Sequence, residues 1–318
     1  MRQPIAVVGA GADDARIEAV FGAPRPRAIV DVVPRLAAVT AAPRAPAPPF
    51  YFVVDLDAPV PVSRDDVFAR FTNEWLQASG EPVLFCGRKA DGKVETLGRP
   101  GRPPPFGRTP SPYDQAYLAL SWEASKPARR PRAAEEFERV VEHAKRVAAA
   151  WSPRARVSPA ESAAAGKRLA EAKALLADPW EFFLRASGEG YDGKEIWRTL
   201  HELGLVWSDV DAFWWLDQAE RIVSLSVGTT TPPGHFRPEE MASGKRYADL
   251  RFGTLLGKHA ESLAIVRAMI CFGTAIQARI GGNLETADGR PFDPEAFVAR
   301  ADEALARVAA LHVDATGL

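Results

Sequence analysis

Five histidines, His143, His201, His235, His259 and His312, are the side chains best suited to acid-base or metal chemistry near neutral pH. They are dispersed. None falls in an HExxH pattern or pairs with a cysteine at a metal spacing, so neither a metal nor another cofactor is expected. His201-Glu202 lies where a helix should end, and a surface cation beside terminal carbonyls accounts for it. Asp55 and Asp57 sit two apart on a strand and can point the same way as a carboxylate pair. An exposed strand face explains them equally, and no nucleophile or base accompanies them. The hydroxyls of Ser224, Ser226 and Thr229 to Thr231 lack a GxSxG context. IAVVGAGADDARIEAVFG near the N-terminus has the outline of a nucleotide-binding turn, but it passes into the Ala/Pro-rich AAPRAPAPPF before a parallel framework can form. Catalysis is not expected.

The elements that must position these residues belong to an ordinary globular chain. Length and composition, 318 residues with 47% apolar and 25% charged, suffice for two domains with cores of their own, without disulfides or metals. A net charge of −1 gives no bulk attraction to nucleic acid or an anionic membrane. Cys86 and Cys271 each sit in an apolar run and read as buried thiols of a reducing compartment, with a bridge between them as the minor alternative. No run reaches the roughly 18 to 20 apolar residues that span a bilayer, and the N-terminus is a poor signal peptide. A cytoplasmic location without membrane contact is expected.

Two series of elements follow one another. Residues 1–48 read as an extension and a linker stiffened by proline. Residues 49–177 open with a strand at Tyr51-Phe-Val-Val-Asp-Leu, then a helix from the Ser63/Asp66 capping box to Gly80. Strands follow at Pro82 to Gly87, Lys93 to Leu97 and Gln115 to Trp122, with Arg99, Arg102 and Arg108 in the intervening loop, where they can be solvated or meet an acidic group. Helices are expected over Ala133 to Trp151 and after Ser158. Residues 178–318 show a strand at Trp180 to Ala186, a helix through Ile196, Leu200 and Leu203, a hairpin of Ala212 to Leu216 and Arg221 to Val227, and a strand at Ala248 to Leu256. A long helix from Glu261 to Ile280 stops at Gly281-Gly282, and Asp293-Pro294 starts the last one. At offsets of about 129 to 132, Val67 meets Ile196, Val94 meets Val223, Phe106 meets Phe236 and Leu118 meets Leu250, which predicts a tandem repeat.

GLVWSDVDAFWW at Gly204 to Trp215, IVSLSVGTTTPPGHF at Ile222 to Phe236, and Leu250 to Gly282 together resemble the C-terminal domain family of ZipA, the bacterial division protein that binds the tail of FtsZ. The first series resembles that family only through the second. The resemblance implies an α+β fold of two tandem split β-α-β units, each an antiparallel sheet with helices on one face and the other open. It also implies a protein partner, an FtsZ tail, on the open face. Carried over by position, Val210 keeps an apolar groove side chain, the groove aromatic falls on Gly253 beside Arg251, and a groove methionine falls within Gly228 to Thr230.

The aromatic cluster Phe213-Trp214-Trp215 adds a reading from the residues alone. Adjacent tryptophans on a strand point to opposite faces, so one can enter the core and the other the open face, where tryptophan is a favoured interface anchor. Val210, Ala212, Trp214, Trp215, Arg251 and Gly253 are the candidate partner-binding residues. The expected function is non-catalytic protein recognition by a soluble adaptor or inhibitor. An immunity-type protein that occludes a toxin is the alternative partner reading, and an enzyme with a cleft between the repeats is a third.

Overall fold

The computed structural model describes residues 46–80, 82–102, 112–125, 128–208, 212–216, 222–256 and 261–312. The expected N-terminal extension, Val210, Phe106 and Arg108 lie outside them. The chain divides into two compact units, Ala41–Ala174 and one containing Leu175–Leu318. Both mix helices with antiparallel sheets.

The first unit contains β1 (Tyr51–Leu56), α1 (Arg64–Arg70), α2 (Asn73–Ser79), β2 (Val83–Arg88), β3 (Val94–Gly98), β4 (Gln115–Ser121), α3 (Ala134–Val147), β5 (Arg154–Ala155) and α4 (Pro159–Leu175). The Ser63 box forms as its sequence demands: Asp66 accepts the Ser63 amide at 2.8 Å, and the Asp66 amide donates to the Ser63 hydroxyl at 3.1 Å. The single helix expected up to Gly80 is two. Its break falls where the Thr72 hydroxyl accepts the Trp75 amide at 3.3 Å and starts a second N-cap, a local competitor that periodicity does not register. Alternation on the strands sends Phe52, Val54, Leu56, Phe85, Leu118 and Leu120 into a core with Phe71, Trp75, Phe137 and Val140 of the helices. The opposite face is not open at its centre, because Val53, Cys86, Tyr117 and Ala119 are buried there as a second apolar cluster.

The second unit contains β6 (Trp180–Arg185), β7 (Tyr191–Asp192), α5 (Gly193–Glu202), β8 (Val206–Ser208), β9 (Ala212–Leu216), β10 (Ile222–Gly228), α6 (Pro238–Ala242), β11 (Arg246–Tyr247), β12 (Asp249–Thr254), α7 (Ser262–Ile280), β13 (Asn283–Glu285) and α8 (Pro294–Ala310). Its main sheet runs β13-β6-β12-β10-β9-β8, and β7 pairs with β11 apart from it. Phe182 is stacked on Phe252, with centroids 4.8 Å apart, and on Phe292 at 4.3 Å. Ile265, Val266, Met269, Phe272 and Ile276 of α7 are buried. Contrary to the expectation from the sequence, α7 is by length and composition apolar enough to cross a bilayer, with a mean hydropathy of 1.5. Those buried residues account for the apolarity of the face turned to the sheet, 39% of the apolar stretch being buried.

The first unit's sheet has the order β3-β2-β4-β1-β5. In each unit the first strand lies between a late long strand, β4 or β12, and a short strand that follows the next helix, β5 or β13. Leu118 and Leu250 lie on these late strands, opposite Val54 and Leu184. Val94 and Val223 lie on strands of different placement. Val94 belongs to the edge strand β3, whereas Val223 belongs to β10, which pairs with both β9 and β12. In the first unit it is the earlier hairpin strand, β2, that pairs with the late strand.

Candidate protein-binding face of the second unit

Strand alternation divides AFWWL between two environments. Phe213 and Trp215 face the helices, and the Trp215 ring lies 5.8 Å from that of Phe272 on α7. Trp215 is therefore a core residue, and its place among the partner-binding candidates is corrected: helical cover on that face leaves it only 2% exposed. Ala212, Trp214 and Leu216 point the other way and are partly buried. The Trp214 indole N–H is buried without an acceptor.

Register places these side chains in rows across the sheet. One row runs Val206, Trp214, Ser226, Gly253, Glu181 over five strands. The next runs Gly228, Arg251, Phe183, Glu285. Directly opposed residues on neighbouring strands share a face, so Trp214, Arg251 and Gly253 come together on the face away from the helices. Val206, 40% exposed, continues the row to the sheet's edge. The floor between Trp214 and Arg251 is made of small residues. Among the described residues a Cβ built on Gly253 would meet only the Ser226 Oγ, at 3.8 Å, whereas Gly228 is buried and one there would meet the Arg251 Nη2, also at 3.8 Å.

The two arginines of this face differ in commitment. Arg185 lies over the Phe183 ring at 4.6 Å, donates to Asp249 at 2.5 Å and stands 3.9 Å from Glu285. Arg251 is exposed and makes no hydrogen bond or ion pair among the described residues. Asp249, fully buried, also accepts the Thr229 hydroxyl at 3.1 Å, the Thr230 amide at 2.7 Å and the Thr230 hydroxyl. It thereby pins the start of the TTTPPGHF loop to β12. Sequence alone does not mark it, because Asp249 is one carboxylate among many and its partners lie 19, 20 and 64 residues away.

The residues considered for chemistry are placed elsewhere. Asp55 accepts from Arg156 through both oxygens, at 2.8 and 2.7 Å, and from Gln115 at 3.0 Å, so its charge is committed to a structural ion pair. His201 is no surface cation: it packs against Trp197 and Phe213, with centroids 4.9 and 5.5 Å away, and desolvation lowers its pKa. No three His, Cys, Asp or Glu residues form a metal-binding group among the described residues. A shallow groove of about 560 Å³ between α7 and α8, lined in part by Ile270, Cys271, Val298 and Asp302, includes none of the candidate catalytic residues. Both cysteines are free, which removes the alternative of a bridge. Burial pushes the Cys86 thiol up to about 11 and shields it, whereas Cys271 is exposed on α7. Titration of the native chain with a thiol reagent at pH 8 is expected to register one fast thiol, and a second only after denaturation; two fast native thiols would contradict this placement.

The family model described as ZipA, C-terminal FtsZ-binding domain, matches residues 181–301. The matched stretch runs from β6 into α8 and so takes in the whole of the face built above. No curated protein matches the chain.

Proposed function

We propose, from the premise that residues 181–301 form a ZipA C-terminal-type domain, that the second unit is a non-catalytic recognition module. Its ligand is a protein segment docked on the face that carries Trp214, and the FtsZ tail is the first partner to test. The observation that supports this most is the sheet face itself. It lies wholly within the matched stretch, no helix of the unit is packed on it among the described residues, and a partly buried tryptophan rises from it. An apolar body with a polar N–H on a strand is the kind of group that anchors an interface. We propose further that the first unit is a diverged copy, in which the surroundings of β1 are kept and the middle hairpin is connected differently.

Calorimetry with a peptide of the FtsZ C-terminal tail tests this. The wild-type chain is expected to bind saturably, and Trp214→Ala, folded by circular dichroism, to bind at least about tenfold more weakly, the equivalent of roughly 1.4 kcal/mol. Absence of wild-type binding rejects this partner. Unchanged affinity in the variant rejects the face.

A further inference from the structure

Resting on that reading, we infer that the partner segment supplies what this face omits: one large apolar side chain seated over Ser226 and Gly253, and one carboxylate paired with Arg251. The hollow has a definite origin. Gly253 and Ser226 are direct register partners on adjacent strands, and Gly228, two residues along β10 on the same face, is buried beside the Arg251 guanidinium and closes that end. Adjacent strands are about 4.8 Å apart, so the missing side chain of Gly253 beside the short one of Ser226 leaves room for one bulky group and not for several. Among the described residues nothing but the Ser226 Oγ approaches a Cβ at Gly253 within 4 Å. Trp214 stands at one side of this floor and Arg251 at the other.

Charge narrows the ligand further. Arg251 is exposed and unengaged among the described residues, while its neighbour Arg185 is held by Asp249. Glu181 lies beside Gly253 on β6, and Glu285 stands opposite Phe183. A run of acidic residues would meet those two carboxylates, whereas a single one placed on the Arg251 side would not. The segment is therefore an apolar one with a solitary carboxylate near its bulky residue, and Arg251 and Gly253 determine specificity.

An array of ten-residue synthetic peptides tests this, with Trp, Phe, Leu or Ala at the centre and Asp, Asn or Lys at each flanking position. The wild-type chain is expected to favour a large central residue with one Asp over its Asn counterpart by about fivefold, as for an exposed ion pair. Arg251→Gln should bring that ratio to unity and leave the preference for a large centre. Gly253→Val, for which there is space, should weaken large-centred peptides by about tenfold and leave the Asp preference. Thermal melts of both variants check folding. Binding that needs Trp214 but keeps its Asp preference in Arg251→Gln, or its large-residue preference in Gly253→Val, overturns this inference and leaves the recognition face standing. Peptides that bind wild type and Trp214→Ala equally, or an array that binds nothing, overturn both.

Discussion

Asp249→Ala is expected to lower the unfolding free energy by about 3 kcal/mol, the lower end of the range for breaking a buried ion pair. The carboxylate is fully buried and serves three partners at once: the Arg185 guanidinium, the Thr229 hydroxyl, and Thr230 through its amide and hydroxyl. Deleting it leaves each of those donors without its acceptor, and an unmet buried donor costs about 1 to 3 kcal/mol. Arg185 can turn toward water, since its side chain is 33% exposed, and Glu285 stands nearby, so part of the cost is recovered. Thr229, only 1% exposed, has no such exit. Asp249→Asn keeps an acceptor for the threonines while losing the charge, and should cost less than the alanine variant. Urea denaturation with an unchanged m-value is the measurement. A loss below about 1 kcal/mol for Asp249→Ala would mean that the loop is held by its other contacts. The same variant should weaken peptide binding beyond its effect on folding, because Arg185 and Gly228 border the proposed docking floor.

How far such features could be read in advance depended on whether their causes were local. Ser63 with Asp66, Ser158 with Glu161, and Asp293 with Pro294 announce helix starts within one turn, and the caps form at those residues. The alternation of Phe213, Trp214 and Trp215 is equally local, and it separates the two tryptophans between faces. Pairing is not local. The hairpin of β2 and β3 has the signals of an ordinary hairpin, yet which of its strands meets β4 is decided by residues far along the chain, so Val94 sits on an edge strand and Val223 on an inner one. Three-residue β8 and the β7-β11 pair are too short for a periodic signal. His201 illustrates the same limit at a single side chain. Its position near a helix end suggests solvent, and only the packing of Phe213 from β9 shows that it is desolvated. The floor of the candidate face was half legible: Gly253 and Arg251 stood out by position, but their proximity to Trp214 through Ser226 is a consequence of register.

Gly282→Ala should be at least as disruptive, at about 3 kcal/mol or more, through strain and overlap together. Gly282 has φ +95°, in the region that side chains rarely adopt. A Cβ there would lie 1.9 Å from the Tyr191 Oη and 2.4 Å from the Arg185 carbonyl oxygen. The second of these atoms belongs to β6 and cannot yield without shifting a central strand. Tyr191 is itself engaged, since its hydroxyl donates to the Gly281 carbonyl at 3.1 Å. Burial, with the Asp249 charge adding to it, pushes that hydroxyl up to about 12, so it remains a donor at neutral pH. Two further variants separate the causes. Tyr191→Phe alone removes one hydrogen bond and should cost about 1 kcal/mol. Combined with Gly282→Ala, it relieves the overlap with the hydroxyl but neither the one with Arg185 nor the backbone strain, so the double variant should recover only part of the loss. Full recovery would locate the whole cost in the tyrosine contact, and no recovery would locate it in the backbone. In either case the Gly-Gly after α7 does more than end a helix: it lets the chain pass close enough to β6 for β13 to pair with it.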